Sequence, residues 1–173
     1  MIQIYKFDCT DKSFEIISSL YNKIWDQNDS EVIYRFKKHA SYDGFKGLVA
    51  VNKNGDVIGF TYGYTSMEGQ YYRGLLEKHL SEEETEKWLT DCFELVELAV
   101  HPDYRKKGIG KSLIADLLEN ATNSTSVLTT QKSNINAQSL YKSLGWKEIS
   151  NSFLPDGKTL YIIMGKKLMV GSK

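Results

Sequence analysis

The stretch HPDYRKKGIGKSLI, residues 101–114, combines residue types that could bind a phosphate group. Gly108 and Gly110 stand directly before an apolar run that predicts a helix. A helix start carries unpaired N–H groups and a partial positive charge, and glycine lets an anion approach the backbone closely. Three lysines add positive charge at the same place: Lys106, Lys107 and Lys111. The pattern therefore predicts a site for a phosphorylated ligand.

Two common nucleotide-binding patterns share parts of this stretch without matching it. A Walker A loop requires a glycine at position 105, where Arg105 stands. A dinucleotide-binding fingerprint requires a third glycine where Leu113 stands, and it should follow the first strand of the fold. A third interpretation is that the two glycines only form the connection between a strand and a helix. It does not explain why basic residues cluster at the same place.

The elements around this stretch alternate between strands and helices. Helices are predicted over 11–25, 30–39 with Ser30 as N-cap, 81–89 with a Ser81/Glu84 capping box, 110–121 and 136–145. Strands are predicted over 1–7, 45–65 as a hairpin turning at Asn54–Gly55, 92–100, 126–131, 146–154 and 159–168. Where a helix separates two neighbouring strands, parallel pairing is expected, and the hairpins imply antiparallel edges. We expect one mixed α/β domain over residues 1–173, a central mixed sheet flanked by helices.

Charge is balanced overall and uneven along the chain. The 22 basic and 22 acidic residues argue against a general nucleic-acid binder. Residues 66–100 carry 3 basic and 9 acidic groups, whereas residues 101–173 carry 11 basic and 5 acidic groups. This asymmetry would suit two ligands of opposite charge. The alternative is that the charged residues of both segments simply face solvent.

The cysteines and histidines match no metal site. Cys9 and Cys92 are far apart, and the three histidines are scattered, so no zinc or Ser-His-Asp constellation is expected. The sequence shows no signal peptide and no apolar run of about 18 residues. We expect a cytoplasmic protein with free thiols that binds neither metal nor membrane.

Two segments resemble motifs of the GNAT superfamily of N-acetyltransferases. ELAVHPDYRKKGIGKSLI is similar to its acetyl-CoA signature, Val-x-Pro-x-x-Arg-x-x-Gly-x-Gly/Ala after an apolar strand; the matching residues are Val100, Pro102, Arg105, Gly108 and Gly110. NINAQSLYKSLGWKEI is similar to its second motif at Asn134, Ala137, Leu140, Tyr141, Gly145 and Trp146. The predicted order of elements also resembles the GNAT fold, so the resemblance covers nearly the whole chain.

The resemblance implies which residues bind acetyl-CoA. Backbone groups of the strand before the signature would bond the pantetheine arm, here at Leu98, Ala99 and Val100. The pyrophosphate would lie on the backbone of the next loop and helix start, formed by Arg105, Lys106, Lys107, Gly108, Ile109, Gly110, Lys111 and Ser112. Asn134 would bond the cofactor from the second motif.

Acetyl transfer to an amine needs a base, an oxyanion donor and an acid. Glu97 and Glu94 are candidate bases, because each stands on an otherwise apolar strand where an unpaired charge is costly. Glu97 is favoured, and a salt bridge or exposed edge is the alternative for each. The resemblance implies the Val100 N–H as oxyanion donor and the Tyr141 phenol as acid; Tyr141 could also simply pack in an apolar helix face.

The acceptor is less well defined than the donor. Residues 66–91 form a long connection in which Tyr71, Tyr72 and Trp88 accompany several acids. The acids are more simply explained as the solvated face of a capped helix, and the alternative is that they and the aromatic residues bind a cationic amine. The predicted function is transfer of an acetyl group to a polyamine, an aminoglycoside or a protein amine. The alternatives are a non-catalytic acyl-CoA sensor and a nucleotide-binding protein. Many members of the superfamily form homodimers, and an edge strand at the C-terminal end would permit one here.

Overall fold

The computed structural model describes residues 1–168, whose elements follow the predicted order. They are β1 Gln3–Lys6, α1 Asp11–Ile24, α2 Val32–Ala40, β2 Lys46–Val51, β3 Val57–Thr65, α3 Tyr71–His79, α4 Glu82–Leu89, β4 Cys92–Val100, the 3₁₀ helix Pro102–Tyr104, α5 Ile109–Leu118, β5 Thr125–Gln131, α6 Ile135–Ser143, β6 Lys147–Phe153 and β7 Tyr161–Lys167. The strand order is β1-β2-β3-β4-β5-β7-β6, and parallel and antiparallel pairs both occur. The predicted mixed α/β class is confirmed.

The chain divides into two compact units, and the first comprises residues 1–64 and 95–120. Its strands β1, β2 and β3 pair antiparallel, and the second half of β4 also belongs to it. Helix α1 begins where Thr10 caps the N–H of Ser13 and buries its apolar face in the core of this unit. That core includes Phe14, Phe36 and Phe60.

The second unit comprises residues 65–94 and 121–168. Residues 92–94 of β4 pair parallel with β5, and β7 pairs antiparallel with β5 and β6. Its core includes Leu76, Leu89 and Ile163. The expectation of a single catalytic domain over 1–173 stays a prediction, and residues 169–173 lie outside the described part.

The parallel pairing expected for the strands on either side of α6 is wrong. β5 pairs with β7 instead of β6, and β7 lies between them. The burial pattern explains the order: Ile162, Ile163 and Met164 of β7 are all buried, whereas most of β6 is exposed or half-buried. A strand that is apolar on both faces needs neighbours on both sides, and a polar strand suits the edge.

The local signals at the element ends were mostly correct. Glu84 and Ser81 form the predicted capping box, and Gly55 adopts φ +88° in the predicted hairpin turn. Ser30 was the wrong N-cap: α2 is preceded by Glu31, whose N–H donates to the carboxylate of Asp29. Within residues 1–168 no helix is both long and apolar enough to span a membrane.

Candidate active site

The first unit contains the predicted phosphate-binding loop, and two left-handed residues shape it. Lys106 has φ +60° and Gly108 has φ +81°, and α5 begins at the next residue, Ile109. The first N–H groups of any helix find no acceptor within the helix, and Gly108 has no side chain with which to cap them. The amides of Ile109, Gly110 and Lys111 occupy this first turn. The helix start therefore offers donors for an anion.

Side chains on the loop add to this preference for negative charge. Lys106, Lys107 and Lys111 are exposed, as is Ser112, so the loop is cationic and polar at its surface. Ile109 is buried, so its side chain anchors the helix to the core and only its backbone can meet a ligand. That the backbone binds the pyrophosphate while the lysines supply charge stays a prediction.

The loop is fixed to the strand before it. Arg105 Nε donates to the carbonyl oxygen of Val100 at 3.1 Å, and the His101 N–H donates to the carbonyl oxygen of Ile58 at 2.8 Å. The Arg105 side chain thus stabilises the loop, while its backbone remains the part predicted to bind the cofactor. At the other end of α5, Lys46 Nζ donates to the carbonyl oxygens of Asp116 and Glu119, so the helix is held at both ends.

The end of β4 carries the three residues predicted to meet the pantetheine arm. Ala99 is buried, and Leu98 and Val100 are half-buried. A Cβ atom on Gly59 would lie 3.1 Å from the Ala99 carbonyl oxygen, so the glycine allows a close approach of the two backbones. Ala99 is therefore packed on its β3 side within the first unit, and its contact with pantetheine stays a prediction.

Glu97 forms an ion pair, which the sequence analysis gave as the alternative interpretation of this residue, but its partner Arg35 was not among the candidate residues. Its Oε2 lies 3.5 Å from Nη2 of Arg35 on α2, and 18% of its side-chain surface is exposed. Burial raises the pKa of Glu97 to about 7, and the charge of Arg35 opposes that rise. A carboxyl group with a pKa near neutrality can both accept and release a proton at physiological pH.

Helix α2 brings a second polar side chain to the same region. His39 shares a hydrogen bond with the hydroxyl of Tyr62, 2.8 Å away. Burial lowers the pKa of His39 to about 4, with a further contribution from the charge of Arg35, so the ring is neutral at pH 7. Arg35 and His39 are four residues apart and share a helix face. The sequence analysis named neither residue as a candidate, and their spacing of four on one helix face was the sequence feature that could have indicated both.

Glu94 lies in the second unit, in an apolar setting. Only 5% of the residue is exposed, and its Oε1 has no hydrogen-bond partner among residues 1–168. Burial raises its pKa to about 8, and the positive charge of Arg73 opposes the rise. Arg73 is itself buried and donates to the carbonyl oxygen of Ser66 and to Glu77. Glu94 is therefore largely protonated at neutral pH.

The second predicted motif covers α6 and the start of β6. Asn134 is the N-cap of this helix, because its Oδ1 accepts the N–H of Ala137 at 3.1 Å. Tyr141 is buried, with 7% of its surface exposed, and its ring lies 6.1 Å from that of Trp146. Asn134 thus has a structural role, to which its predicted contact with the cofactor would be added. Tyr141 has the packing expected of its helix face, and its role as acid stays a prediction.

The acidic connection is helical. Residues 66–91 contain α3 and α4, and Glu82, Glu83 and Glu86 on α4 are exposed. Trp88 is buried in the core of the second unit, so it lines no open surface, whereas Tyr71 is 74% exposed. The acids therefore form a solvated helix face, the less specific of the two interpretations.

The mixed sheet and its flanking helices match the fold of solved acetyltransferases. The profile of the Acetyltransferase (GNAT) family matches residues 11–146, and the chain belongs to this family. The match includes the predicted acetyl-CoA signature and most of the second motif. The family resemblance seen in the sequence is thereby confirmed.

One relative by sequence and two solved structures are similar to this chain, and none of them identifies its substrate. UPF0039 protein C11D3.02c of Schizosaccharomyces pombe is 38% identical over 65 residues, which is 35% of this chain and 41% of that protein, so less than half of its length is matched. The ribosomal-protein-S18-alanine N-acetyltransferase of Escherichia coli superposes with a TM-score of 0.69 at 20% identity, covering 100% of this chain and 98% of the other. The phosphinothricin acetyltransferase of Sinorhizobium meliloti, solved with AcCoA, gives 0.68 at 17% identity, covering 96% and 88%. At these identities the two structures support the fold alone.

Proposed function

We propose that this chain transfers an acetyl group from acetyl-CoA to the amine of an acceptor. The observation that carries the proposal is the uncapped start of α5, where first-turn amides and exposed lysines surround a left-handed glycine. A Cβ on Gly108 would meet nothing within 4 Å, so the backbone is open to a pyrophosphate. The relative from Sinorhizobium meliloti, which was solved with AcCoA, supports the same donor.

Glu97 is the base that the geometry supports best. The amine must lose a proton before or while it attacks the thioester carbon, and the carboxylate that takes the proton must later release it to water. Glu97 is partly exposed and has a pKa near 7, so it can do both. Glu94 is more deeply buried and holds its proton more tightly, and it is the alternative base.

The remaining steps use groups implied by the family. The attack forms a C–N bond and a tetrahedral oxyanion, for which the backbone N–H of Val100 is the proposed donor. When the C–S bond breaks, the thiolate of CoA takes a proton, and Tyr141 is the proposed source. Asn134, with Leu98 and Ala99, completes the proposed set of cofactor contacts.

The first test is ligand binding followed by turnover. Acetyl-CoA at about 100 times its Kd should stabilise the protein by roughly 2.7 kcal/mol, which should raise Tm by about 5–10 °C for a domain of this size. ATP serves as the control, and stabilisation by ATP alone would indicate a nucleotide-binding protein instead. Stabilisation by acetyl-CoA without CoA release in the presence of any amine would indicate an acyl-CoA sensor.

A further inference from the structure

The ion pair between Arg35 and Glu97 places opposite charges side by side at a partly open position. The side chains are 40% and 18% exposed, so a ligand can reach both groups. The N–O distance of 3.5 Å is longer than the 2.7–2.9 Å typical of a charge-assisted hydrogen bond. The two groups attract each other without being locked together, so a ligand with better contacts can replace their mutual contact.

The guanidinium of Arg35 is held in place by aromatic rings. Its Cζ lies 5.3 Å from the ring centre of Tyr21 and 5.4 Å from that of Phe36. Phe36 is almost completely buried, so this part of the support belongs to the core of the first unit. An arginine restrained in this way loses little freedom on binding and presents its planar group in one orientation, which suits recognition of a carboxylate.

The charges on α2 discriminate between classes of acceptor. Lys38 lies three residues after Arg35 on α2 and adds a second positive charge there, whereas the charge of Lys37 is offset by its pair with Asp11. A polycation such as a polyamine would be repelled by Arg35 and Lys38 when it approached Glu97. A ligand that carries one negative and one positive group close together would instead match the pair.

We propose that the acceptor is an amino acid with a free α-carboxylate, which binds Arg35 while the α-amino group lies at Glu97; this inference rests on the proposed acetyl transfer. In an α-amino acid one carbon separates the two charged groups, so they can meet adjacent partners. The ammonium gives a proton to the Glu97 carboxylate, and the neutral amine forms the new bond to the acetyl carbon. The C–S bond breaks and the CoA thiolate takes a proton from the site's acid, while the second proton that the nitrogen loses restores that acid.

The test compares amino acids with their α-carboxamides. The common amino acids are each assayed beside the matching amide, which keeps the amine and side chain but lacks the carboxylate. An amide's amine loses its proton more easily, so chemistry alone favours the amide, and a higher kcat/KM for the amino acid signals recognition of the carboxylate. Arg35→Gln should lower the ratio of the two kcat/KM values by about 10- to 100-fold, and Arg35→Lys should restore part of it.

The controls separate this inference from the proposed function. Lys37→Gln removes a charge from the same helix without touching Glu97 and should leave the ratio unchanged. A shift in the pKa of Glu97 affects both members of a pair equally, so it cancels in the ratio. Three outcomes would overturn the inference alone: an amide used as well as its amino acid, a ratio unchanged in Arg35→Gln, or no turnover of any amino acid while another amine is acetylated. Absence of acetyl-CoA binding would instead overturn the proposed function.

Discussion

Arg35 and Glu97 are 62 positions apart in the chain, and their charged groups meet at 3.5 Å between α2 and β4. Two opposing effects determine the pKa of the proposed base Glu97. Burial raises the pKa of the carboxyl group, and the arginine keeps that rise moderate, so the value stays at about 7. Arg35 is therefore a positioning residue for Glu97 as well as part of the proposed acceptor site.

The pH dependence of the reaction should report this pair. Because the base must be deprotonated, kcat/KM should fall about tenfold for each pH unit below the pKa of Glu97. Removing the charge of Arg35 should raise that pKa, so the acidic limb should move to higher pH in Arg35→Gln. The measurement is kcat/KM from pH 5 to 9 at saturating acetyl-CoA. The profile of Glu97→Gln should lose this limb together with most of the activity.

The same series of assays tests the choice of base. Glu94→Gln should keep the acidic limb, since Glu94 is not the proposed proton acceptor. Loss of the limb in Glu94→Gln and its retention in Glu97→Gln would show that Glu94 is the base instead.

Glu94 should make the protein less stable at high pH. Its pKa is about 8 in the folded protein, above the ordinary value of 4.5, so folding favours its protonated form. The contribution to stability is fully present below the unfolded pKa and is lost as pH rises through the folded pKa. Glu94→Gln should therefore lose less stability than wild type between pH 5 and 9, by a difference on the order of a few kcal/mol. Urea unfolding at both pH values measures it.

An exposed glutamate supplies the matched control for this measurement. Glu83 lies on the solvated face of α4, and Glu83→Gln should show the same loss of stability with pH as wild type. An equal pH dependence in wild type and Glu94→Gln would contradict the assignment of a raised pKa to Glu94.

Much of the fold was predictable because its signals are local. Gly55 in its turn and the Ser81/Glu84 box each act within a few residues, and both occur where the sequence indicates. The loop before α5 was recognisable for the same reason, since Gly108 and its neighbours are consecutive. The position of β7 between β5 and β6 depends on which strand is buried on both faces, and a hairpin pattern alone does not decide that.

The candidate site was only partly predictable because its electrostatics depend on distant partners. Glu97 was identifiable as an acid on an apolar strand, but its neighbour Arg35 comes from a helix far earlier in the chain. Arg73 has the same relation to Glu94. Asn134 differs from these two acids because its partner is local. It matches a cofactor-binding motif and also caps its own helix.

Two glycines in the second unit should respond in opposite directions to alanine. A Cβ on Gly165 would lie 2.6 Å from Cδ1 of Ile149 and 2.7 Å from the ring of Trp88, so Gly165→Ala should cost about 1–3 kcal/mol through overpacking. Gly74 lies within α3, and a methyl group added there would meet nothing within 4 Å, so Gly74→Ala should add about 0.5–1 kcal/mol. Chemical denaturation gives both values, and a stable Gly165→Ala protein would show that Trp88 can move.

Tyr141→Phe should separate catalysis from binding. The phenyl ring keeps the contact with Trp146 and most of the packing of α6, while the proposed proton donor is lost. The expected result is a fall in kcat by about 10²–10⁴-fold with little change in the affinity for acetyl-CoA. Steady-state kinetics and a thermal shift with acetyl-CoA measure the two quantities. A kcat equal to that of wild type would leave Tyr141 with packing as its function.

Gly108→Ala should weaken acetyl-CoA binding beyond its effect on stability. Gly108 has φ +81°, where an alanine costs roughly 1–2 kcal/mol, and the added methyl group would stand where the pyrophosphate is proposed to approach. Gly157 is the matched control, because it has φ +73° and open space in the turn between β6 and β7. Both variants should lose similar stability in urea, but only Gly108→Ala should raise the Kd for acetyl-CoA in calorimetry. An equal Kd in the two variants would mean that the pyrophosphate does not bind at the start of α5.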